Sequence, residues 1–305
     1  MNVLVYNGEG ASLECIKYTV ELLKLHLEPF YSIQQISPEQ LLNEPWYDTT
    51  KSKMLVFPGG YDTPCNELLL SQNEKLKNLI LNKFTNGIFL GICAGGYLGA
   101  DSIQFDIPTQ HLKFERPLKF FPGLAQGPAF NGFNYKNNDG ARVASITFKD
   151  EASNSIIRTK GFFNGGCNFV NADAYDNVEV IARFEDELDL KDSDGKNYPK
   201  GQAAAVFCQS EAEAEAKVKA VLVSPHLEYI PRILQKANDN NPGRYHQSII
   251  DGLKQDCDTR DIFWKQLFRK LGLRVNGTTK SSEFGSDLTL TPTYLHYKNK
   301  TVAEK

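Results

Sequence analysis

Short apolar runs alternate with segments of helical periodicity in the first third of the chain, and this alternation constrains the fold more than any other feature. The apolar runs lie at 2–6, 31–36, 54–57 and 88–92 and are predicted to be strands. Residues 13–27 carry apolar side chains every three or four positions, which predicts a helix between the first two strands. Strands that are apolar throughout and joined by helices are typical of a parallel sheet covered on both faces.

Glycine-containing loops leave the carboxyl ends of three of these predicted strands. The loops lie at 6–10, 57–62 and 91–96. In parallel α/β sheets the ligand crevice lies beyond the carboxyl ends of the strands. We therefore expect the three loops to share one site.

The later part of the sequence has shorter β-like runs separated by Gly and Asn turns. We predict that about 115–185 forms an antiparallel extension of the same domain, and that apolar strands return at 203–209 and 218–223. Further helices are predicted at 68–84, 230–237 and 262–271. These elements place one domain at 1–275. The segment 276–305 is rich in Thr, Ser and Lys with little apolar periodicity, so we expect a linker or a disordered tail there.

Composition argues against several classes of protein. Hydrophobic residues make up 41% of the chain and the formal net charge is −3, which is unlike an intrinsically disordered protein. Lys and Arg are not in surplus, so a nucleic-acid-binding surface is not expected. The sequence has no apolar run of roughly 18 residues that could span a membrane, and its start lacks the basic region of a secretory signal. We expect neither nucleic acid nor a membrane as partner.

The number and spacing of the cysteines indicate the cellular compartment, and the spacing of the glycines in the first loop indicates whether a dinucleotide cofactor is expected. Six cysteines are too few for a disulfide scaffold, and none forms the CxxC pair of a zinc site. We expect reduced thiols in a cytosolic or nuclear compartment, with the cytoplasm preferred, and no bound metal. The loop 7–10 fails as a dinucleotide-binding fingerprint, because the third glycine of G-x-G-x-x-G would fall at Leu13. No cofactor is predicted.

The sequence Gly91-Ile92-Cys93-Ala94-Gly95 places a cysteine between a predicted strand and a helix. G-x-C-x-G is the thiol form of the nucleophile elbow, a tight strand-to-helix turn in which only small residues fit on either side. In such a turn the helix N-terminus favours the thiolate, and the N–H of Ala94 can stabilise an oxyanion. The alternative is a buried structural cysteine in a glycine turn.

A thiol nucleophile needs a base, and the base needs a group that orients it. His226 alone among the five histidines follows an apolar strand, and Glu228 lies two residues further, where an extended chain directs side chains to the same side. The other histidines are predicted to lie in the first helix (His26), in a charged loop (His111) and in polar C-terminal segments (His246 and His296). The alternative for His226 is a surface residue at the end of a strand.

The segment Phe57-Pro58-Gly59-Gly60-Tyr61-Asp62 follows another predicted strand. Its glycines let the backbone approach a ligand, so the N–H of Gly59 or Gly60 is a candidate second oxyanion donor, although Pro-Gly-Gly is also common in plain turns. The predicted substrate-binding set is completed by Tyr97, Asn7, Gly8 and Asn164. The loop 164–167 itself is predicted to be a hairpin turn.

Strand-Pro-Gly-Gly, a G-x-C-x-G elbow and a late His-x-Glu, in this order, resemble the class I glutamine amidotransferases over about residues 1–235. The resemblance implies a flavodoxin-like parallel sheet with helices on both faces. It also implies a catalytic triad of Cys93, His226 and Glu228. One position departs from that family, because the glutamine usually found four residues after the nucleophile is Tyr97 here.

A closer resemblance extends over nearly the whole chain. The sequences MNVLVYNG, FPGGYD, GICAGGYLGA, FFPGLAQGPAFNGFNY, FFNGG and SPHLEY look like the N-terminal domain of fungal biotin–protein ligases. In that family the ligase chemistry belongs to a further domain with a GRGR-type loop and a catalytic lysine, and this sequence has no GRG triplet. The resemblance therefore implies either a piece of a longer ligase or a stand-alone relative.

Two functions from different classes are consistent with these features. The first is a cysteine-dependent amidase or amidotransferase acting on a small-molecule substrate, with Cys93 as nucleophile, His226 as base and Glu228 as the group that orients the base. The second is a non-catalytic regulatory or docking module that binds a small ligand or the biotin ligase catalytic domain, in cis or in trans.

Overall fold

A computed structural model describes residues 1–135, 137–209 and 218–277 of the chain. Within these residues the strands are β1 Asn2–Tyr6, β2 Ser32–Ile36, β3 Ser52–Phe57, β4 Ile88–Ile92, β5 Ala100–Ile107, β6 Gln110–Glu115, β7 Phe121–Gly127, β8 Arg142–Lys149, β9 Ile156–Phe163, β10 Asn168–Phe169, β11 Val178–Phe184, β12 Ala203–Gln209 and β13 Lys219–Val223. The α-helices are α1 Leu13–Leu27, α2 Pro38–Asn43, α3 Asp62–Asn78, α4 Ala94–Leu98, α5 Pro231–Asn240, α6 Gln247–Lys254 and α7 Cys257–Lys270. The predicted tail at 276–305 lies outside the described residues from position 278 onward.

The larger sheet has a parallel centre. Its order is β2-β1-β3-β4-β13-β12-β11-β8-β9, and the first five strands are mutually parallel. Numbered along the chain, these five have the order 2-1-3-4-5, which is the order of the flavodoxin-like fold. The predicted α/β fold with a flavodoxin-like parallel sheet is therefore confirmed. The carboxyl ends of β1, β3, β4 and β13 meet along one edge of the sheet, so the loops that follow these strands lie along the same edge.

The β extension is divided between two sheets. Strands β12, β11, β8 and β9 continue the larger sheet in antiparallel pairs. Strands β10, β7, β5 and β6 form a separate four-stranded sheet, in which β5 and β7 are parallel. This second sheet begins at Ala100, directly after α4 and earlier in the chain than the extension predicted from about 115. Pairing between distant strands decides this division, and turn signals in the sequence do not report it.

Alternate residues of the central strands enter two different cores. Val3 and Val5 pack in one cluster with residues of α1 and α7, including the buried Trp264. Leu4 and Tyr6 pack on the opposite face, in a cluster that includes residues of α3 and of the second sheet. The central strands are thus buried on both faces, which is why they appear in the sequence as unbroken apolar runs.

Several local predictions need correction. The helix predicted at 68–84 is α3, which begins earlier, has non-helical backbone at Ser71–Glu74 and is followed by a π-helical turn at Leu79–Lys83. His111 lies in β6 rather than in a loop. The loop 164–167 joins β9 of the larger sheet to β10 of the second, so it is not a hairpin turn. Helix α6 is absent from the prediction. No described helix combines the length and apolar character needed to cross a membrane.

Candidate active site

Cys93 occupies the turn between β4 and α4. Its φ of 52° and ψ of −103° are costly for a residue other than glycine and are typical of functional turns. The flanking glycines are required by space, because a Cβ at Gly91 would collide with the carbonyl of Gly95, and a Cβ at Gly95 with the carbonyl of Phe57. The turn therefore has the geometry of a nucleophile elbow, followed by a helix of only five residues.

His226 lies just beyond β13 and is held by its backbone and by its ring. Its N–H donates to Phe162 O over 2.7 Å, and its carbonyl accepts from Phe162 N over 3.1 Å. The imidazole Nδ1 lies 2.6 Å from Glu228 Oε1, and both side chains are buried. Because Nδ1 is engaged by the carboxylate, Nε2 is the nitrogen that remains for a thiol.

The elbow and the His226 segment are joined at the edge of the sheet. The N–H of Cys93 donates to the carbonyl of Val223, the last residue of β13, over 2.8 Å. Cys93 and His226 both line a cavity of about 590 Å³. Burial alone would lower the pKa of His226, but the Glu228 carboxylate, and then Cys93 through its charge and a side-chain hydrogen bond, raise it well above its usual range. The imidazolium form is thus favoured at neutral pH.

The loop after β3 closes one side of this cavity. A Cβ at Gly59 would collide with the His226 ring, so only glycine allows the ring to lie there. Gly60 has a φ of +147°, and a Cβ at that position would collide with the carbonyl of Gly10. Gly60 lines the cavity with Cys93, and Ala94 is the first residue of α4, where a backbone N–H has no intrahelical acceptor. Both positions therefore offer backbone donors beside the thiol.

Tyr97 lies one turn beyond the elbow and is buried. Its hydroxyl donates to the carbonyl of Gly165 over 2.9 Å, and its ring packs edge-on against Phe105. Burial first, and then the nearby thiols of Cys167 and Cys93, raise the pKa of Tyr97 well above its usual range. The hydroxyl therefore stays protonated and fixes the 164–167 loop over the elbow.

Aromatic rings and one amide form the wall facing the thiol. Tyr61 and Phe133 pack edge-on against Tyr135, with ring centroids 5.8 and 4.7 Å away. Asn164 donates from Nδ2 to Asn138 Oδ1 over 3.2 Å, while its buried Oδ1 has no hydrogen-bond partner among the described residues. This wall suits a ligand that carries a flat or apolar group and an N–H from which Asn164 Oδ1 can accept a hydrogen bond.

Two residues of the predicted set lie away from the thiol. Asn7 is exposed, donates from Nδ2 to Gln35 Oε1 over 3.2 Å, and is not among the described residues that line the cavity. A Cβ at Gly8 would collide with Pro38 and the Tyr6 hydroxyl, so this glycine serves packing. The same loop reaches the cavity through Glu9 and Gly10, one or two residues further along the chain.

A second thiol at the site is missing from the sequence prediction. Cys15 lines the cavity with Cys93 and His226, and its Sγ lies 3.3 Å from the Tyr229 hydroxyl. Burial raises the pKa of Cys15, against the opposing charge of His226. The sequence does contain a signal for Cys15. This residue lies in the first turn of α1, just after the loop that leaves β1, and that loop is expected at the shared site.

Four charged groups around the cavity are paired with one another. Asp62 and the buried Arg116 form an ion pair with Nε at 2.8 Å, and burial raises the pKa of Asp62 although Arg116 acts in the opposite direction. Arg244 pairs with Glu14 over 2.9 Å. In the described part of the chain, no group of three or more His, Cys, Asp or Glu residues is arranged to hold a metal ion.

Comparison with known proteins gives a family and two relatives. Residues 1–296 match the family described as "Biotin-protein ligase, N terminal". The chain is 34% identical over 302 residues to the biotin–protein ligase of Schizosaccharomyces pombe; the match covers 98% of this chain and 42% of the ligase. The chain thus spans less than half the length of that relative. It is also 33% identical over 243 residues to a protein of Chlamydia muridarum described as "Uncharacterized protein", covering 78% of this chain and 84% of that one.

A solved structure described as "Crystal structure of glutamine amidotransferase" aligns with 78% of this chain and 98% of its own, at a TM-score of 0.43 and 16% identity.

Proposed function

Because the chain belongs to the family of biotin–protein ligase N-terminal domains, we propose that it is an amidotransferase-like domain in which Cys93, His226 and Glu228 form a catalytic triad. The observation that carries the proposal is a buried imidazole that contacts Glu228 through Nδ1 and faces an elbow cysteine in the same cavity. The reaction proposed is hydrolysis of an amide, or transfer of its nitrogen, on a small-molecule substrate.

The first half of the reaction forms a thioester. The Cys93 thiolate attacks the amide carbon, and the carbonyl oxygen becomes an oxyanion that accepts hydrogen bonds from the N–H groups of Ala94 and Gly60. The C–N bond then breaks, and the His226 imidazolium donates its proton to the leaving nitrogen. Glu228 keeps the ring oriented and stabilises its positive charge.

The second half regenerates the enzyme. Neutral His226 takes a proton from a water molecule, the water oxygen attacks the thioester carbon, and the C–S bond breaks to release a carboxylic acid. No external oxidant or reductant is needed.

The state of the other thiols supports Cys93 as the nucleophile. Burial raises the pKa of Cys65 and of Cys208 to about 12, and it raises the pKa of Cys167 well above its usual range. Burial also raises the pKa values of Cys15 and Cys257. All five therefore remain largely protonated at neutral pH, which makes them poor nucleophiles.

The wall facing the thiol favours a substrate other than glutamine. Free glutamine presents an ammonium and a carboxylate, which need paired polar contacts, whereas the rings of Tyr61, Phe133 and Tyr135 line the cavity around Asn164, and its Arg244 is already paired with Glu14. The Tyr97 hydroxyl, at the position where the related amidotransferases carry glutamine, is already engaged by Gly165. We propose a neutral primary amide with a flat or apolar substituent, whose N–H donates to Asn164 Oδ1.

Ammonia release tests this function. The full chain is incubated with benzamide, phenylacetamide, nicotinamide and glutamine at millimolar concentration, with Cys93→Ala as the control. We expect ammonia from at least one aromatic amide, loss of that activity in Cys93→Ala, and little ammonia from glutamine, because the Tyr97 hydroxyl, which stands where an amide side chain is expected, is already bonded to Gly165. Cys93-independent release, or none from any amide, would count against the enzyme.

A second candidate is a regulatory or docking module for a biotin ligase catalytic domain, in cis or in trans. The length of the S. pombe ligase favours this candidate, because this chain matches only 42% of that ligase and the rest of the ligase lies outside the match. The test is binding of the purified chain to the unmatched part of that ligase. A Cys93→Ala chain that binds and alters ligase rate as fully as the parent would favour the module over the enzyme.

Neither candidate gives the described residues a ligase activity of their own. Adenylate formation needs a glycine loop with cationic side chains to hold phosphates, and the sequence offers none. We expect no biotin- and ATP-dependent release of pyrophosphate by this chain alone. All six cysteines are free thiols, which suits a reducing compartment, and we propose the cytoplasm.

A further inference from the structure

Two cysteines from distant parts of the chain lie in the cavity that also contains the His226 ring. Cys15, in the first turn of α1, and Cys93, in the elbow, both line this cavity of about 590 Å³. Both residues keep a small exposed fraction, 5% for Cys15 and 6% for Cys93. A small solute that enters the cavity therefore meets both thiols.

The surroundings of Gly59 show that the second thiol lies against the imidazole. A Cβ at Gly59 would lie 2.9 Å from Cys15 Sγ and 3.2 Å from His226 Nε2. The ring also makes a side-chain hydrogen bond with Cys93, while its Nδ1 contacts Glu228. Both sulfurs are therefore close to the Nε2 side of the same ring, and the residue between them and the chain, Gly59, has no side chain to separate them.

The charges around Cys15 fit a thiol that reacts second. Burial is the largest influence and raises the pKa of Cys15, while the charge of His226 opposes it. Glu228 and Cys93 raise that pKa further, and the hydrogen bond with Tyr229 lowers it. Cys15 is thus a neutral thiol at rest, yet two of its neighbours stabilise its thiolate once a base takes the proton.

Cys167 is another thiol near the elbow. Burial first, and then the charge of Cys93, raise its pKa well above its usual range. Cys167 is 0% exposed and is not among the described residues that line the cavity. Cys15 therefore differs from Cys167 in sharing an open space with Cys93.

We propose that Cys93 and Cys15 are a peroxide-reactive pair, in which hydrogen peroxide oxidises Cys93 to a sulfenic acid and Cys15 converts that group into a Cys15–Cys93 disulfide. The pair uses the contact between Cys93 and His226 that the proposed triad also uses, and it needs no amide substrate. A thiol reductant reverses the reaction, as expected for a protein of a reducing compartment.

The first step forms the sulfenic acid. The Cys93 thiolate attacks one peroxide oxygen, the O–O bond breaks, and the departing hydroxide takes a proton from the His226 imidazolium to leave as water. Neutral His226 then takes the proton of Cys15, whose sulfur attacks the sulfenic sulfur. The S–O bond breaks, and the second hydroxide leaves as water with the proton from His226. Two thiols are oxidised, and one peroxide is reduced to two molecules of water.

Closing the disulfide requires the start of α1 to move. A disulfide places the two Cβ atoms about 3.5–4.5 Å apart. The N-cap residue Ser12 makes no side-chain cap hydrogen bond, so this end of the helix lacks one of the contacts that fix a helix start. The first turn, which carries Cys15, is therefore the part that shifts towards the elbow.

Peptide mass mapping without reductant tests the pair. The full chain is treated with a small molar excess of hydrogen peroxide at pH 7, the remaining thiols are blocked with N-ethylmaleimide in denaturant, and the chain is digested. We expect a linked peptide containing Cys15 and Cys93, which disappears after treatment with dithiothreitol. Iodoacetamide labelling of Cys93 in the native chain should be lost on oxidation and should return with the reductant.

A matched pair of variants tests the role of Cys15. In Cys15→Ala the same peroxide should leave Cys93 as a sulfenic acid that dimedone traps, and more peroxide should carry it to the sulfinic acid. Cys208→Ala changes a buried thiol of β12 that is not among the described residues lining the cavity, and it should form the disulfide as the parent does.

Three results would overturn the proposal. They are resistance of Cys93 to peroxide, pairing of Cys93 with Cys167 or with a second chain, and protection of Cys93 from the sulfinic acid in Cys15→Ala as complete as in the parent. None of them changes the ammonia-release test of the proposed function. Conversely, a chain that forms the disulfide but releases no ammonia from any amide would support the pair and count against the enzyme.

Discussion

Cys15 Sγ lies 3.3 Å from the hydroxyl of Tyr229, the residue that follows Glu228, so a second buried thiol lies beside the candidate base. Burial raises the pKa of Cys15 and outweighs the opposing charge of His226. Cys15 is therefore held as a neutral thiol that donates to or accepts from a tyrosine. Two cysteines thus line one cavity, and of these two only Cys93 occupies the strained turn between β4 and α4.

Cys93 should be the first of the six cysteines to be alkylated. With limiting iodoacetamide at pH 7, peptide mass mapping is expected to show Cys93 labelled well ahead of the five thiols whose pKa values burial raises. His226→Ala should slow that labelling roughly tenfold or more, because the imidazolium no longer stabilises the thiolate. His246→Ala, a histidine at the start of α6 outside the cavity, is the control and should leave the rate unchanged. Preferential labelling of Cys15, or an unchanged rate in His226→Ala, would remove this pair from the mechanism.

Stability should depend on pH through His226. Its pKa in the folded chain is raised well above 6.5, against the effect of burial, by Glu228 first and then by Cys93. A group with a raised pKa contributes stability that is fully present below its unfolded value and is lost as pH rises through the folded value. The difference in unfolding free energy between the parent and His226→Gln should therefore be largest near pH 6 and shrink towards alkaline pH.

Urea denaturation between pH 6 and 9 measures this difference. His111→Gln is the control, since His111 is exposed and pairs with Asp106 at the surface. Its profile should run parallel to that of the parent over the whole range. A His226→Gln difference that grows with pH would mean that the imidazole is neutral in the folded chain.

The Asp62–Arg116 pair should matter for stability. Asp62→Asn leaves the buried guanidinium of Arg116 without its counter-charge, and breaking such a pair costs about 3–5 kcal/mol. Asp173→Asn breaks the exposed Asp173–Arg183 pair and should cost about 1 kcal/mol or less. Chemical denaturation at pH 7 gives both values, and equal losses would show that burial is not what makes the first pair important.

The elbow should not tolerate a side chain at position 91. In Gly91→Ala the new Cβ meets the carbonyl of Gly95, so the turn must shift, at a cost of about 1–3 kcal/mol. Cys93 alkylation should slow in the same variant. Gly277→Ala, where a Cβ meets nothing within 4 Å, should change neither the melting temperature nor the alkylation rate. Normal alkylation in Gly91→Ala would indicate that the backbone at Cys93 is free to relax.

The parallel half of the fold was readable from the sequence because its signals are local. The strand at Ile88–Ile92 and the helix at Leu13–Leu27 agree with their predicted bounds, since each is marked by its own apolar pattern and by flanking glycine or proline. The convergence of the loops follows from the topology of parallel sheets. The proximity of His226 to Glu228 follows from the two-residue spacing, and the hydrogen bond is observed at 2.6 Å.

The parts that escaped prediction depend on contacts between distant residues. The separate sheet of β5, β6, β7 and β10 is fixed by pairing such as Gln126 with Asn168, which no local pattern encodes. Cys15 belongs to the site only because α1 packs against the segment that carries Tyr229. Asn7 and Gly8 belong to a convergent loop, yet Asn7 is exposed and donates to Gln35, and the space beside Gly8 is filled by Pro38 and Tyr6.

The candidate triad and the wall that faces it come from different parts of the chain. Cys93, His226 and Glu228 follow β4 and β13, two adjacent parallel strands of the flavodoxin-like core. Phe133 and Tyr135 belong to the segment between β7 and β8, outside both sheets. A substitution at Phe133 or Tyr135 would therefore reshape the wall of the cavity without changing the register of β4 and β13, so the candidate triad and the surface that would select its ligand are encoded in separate segments.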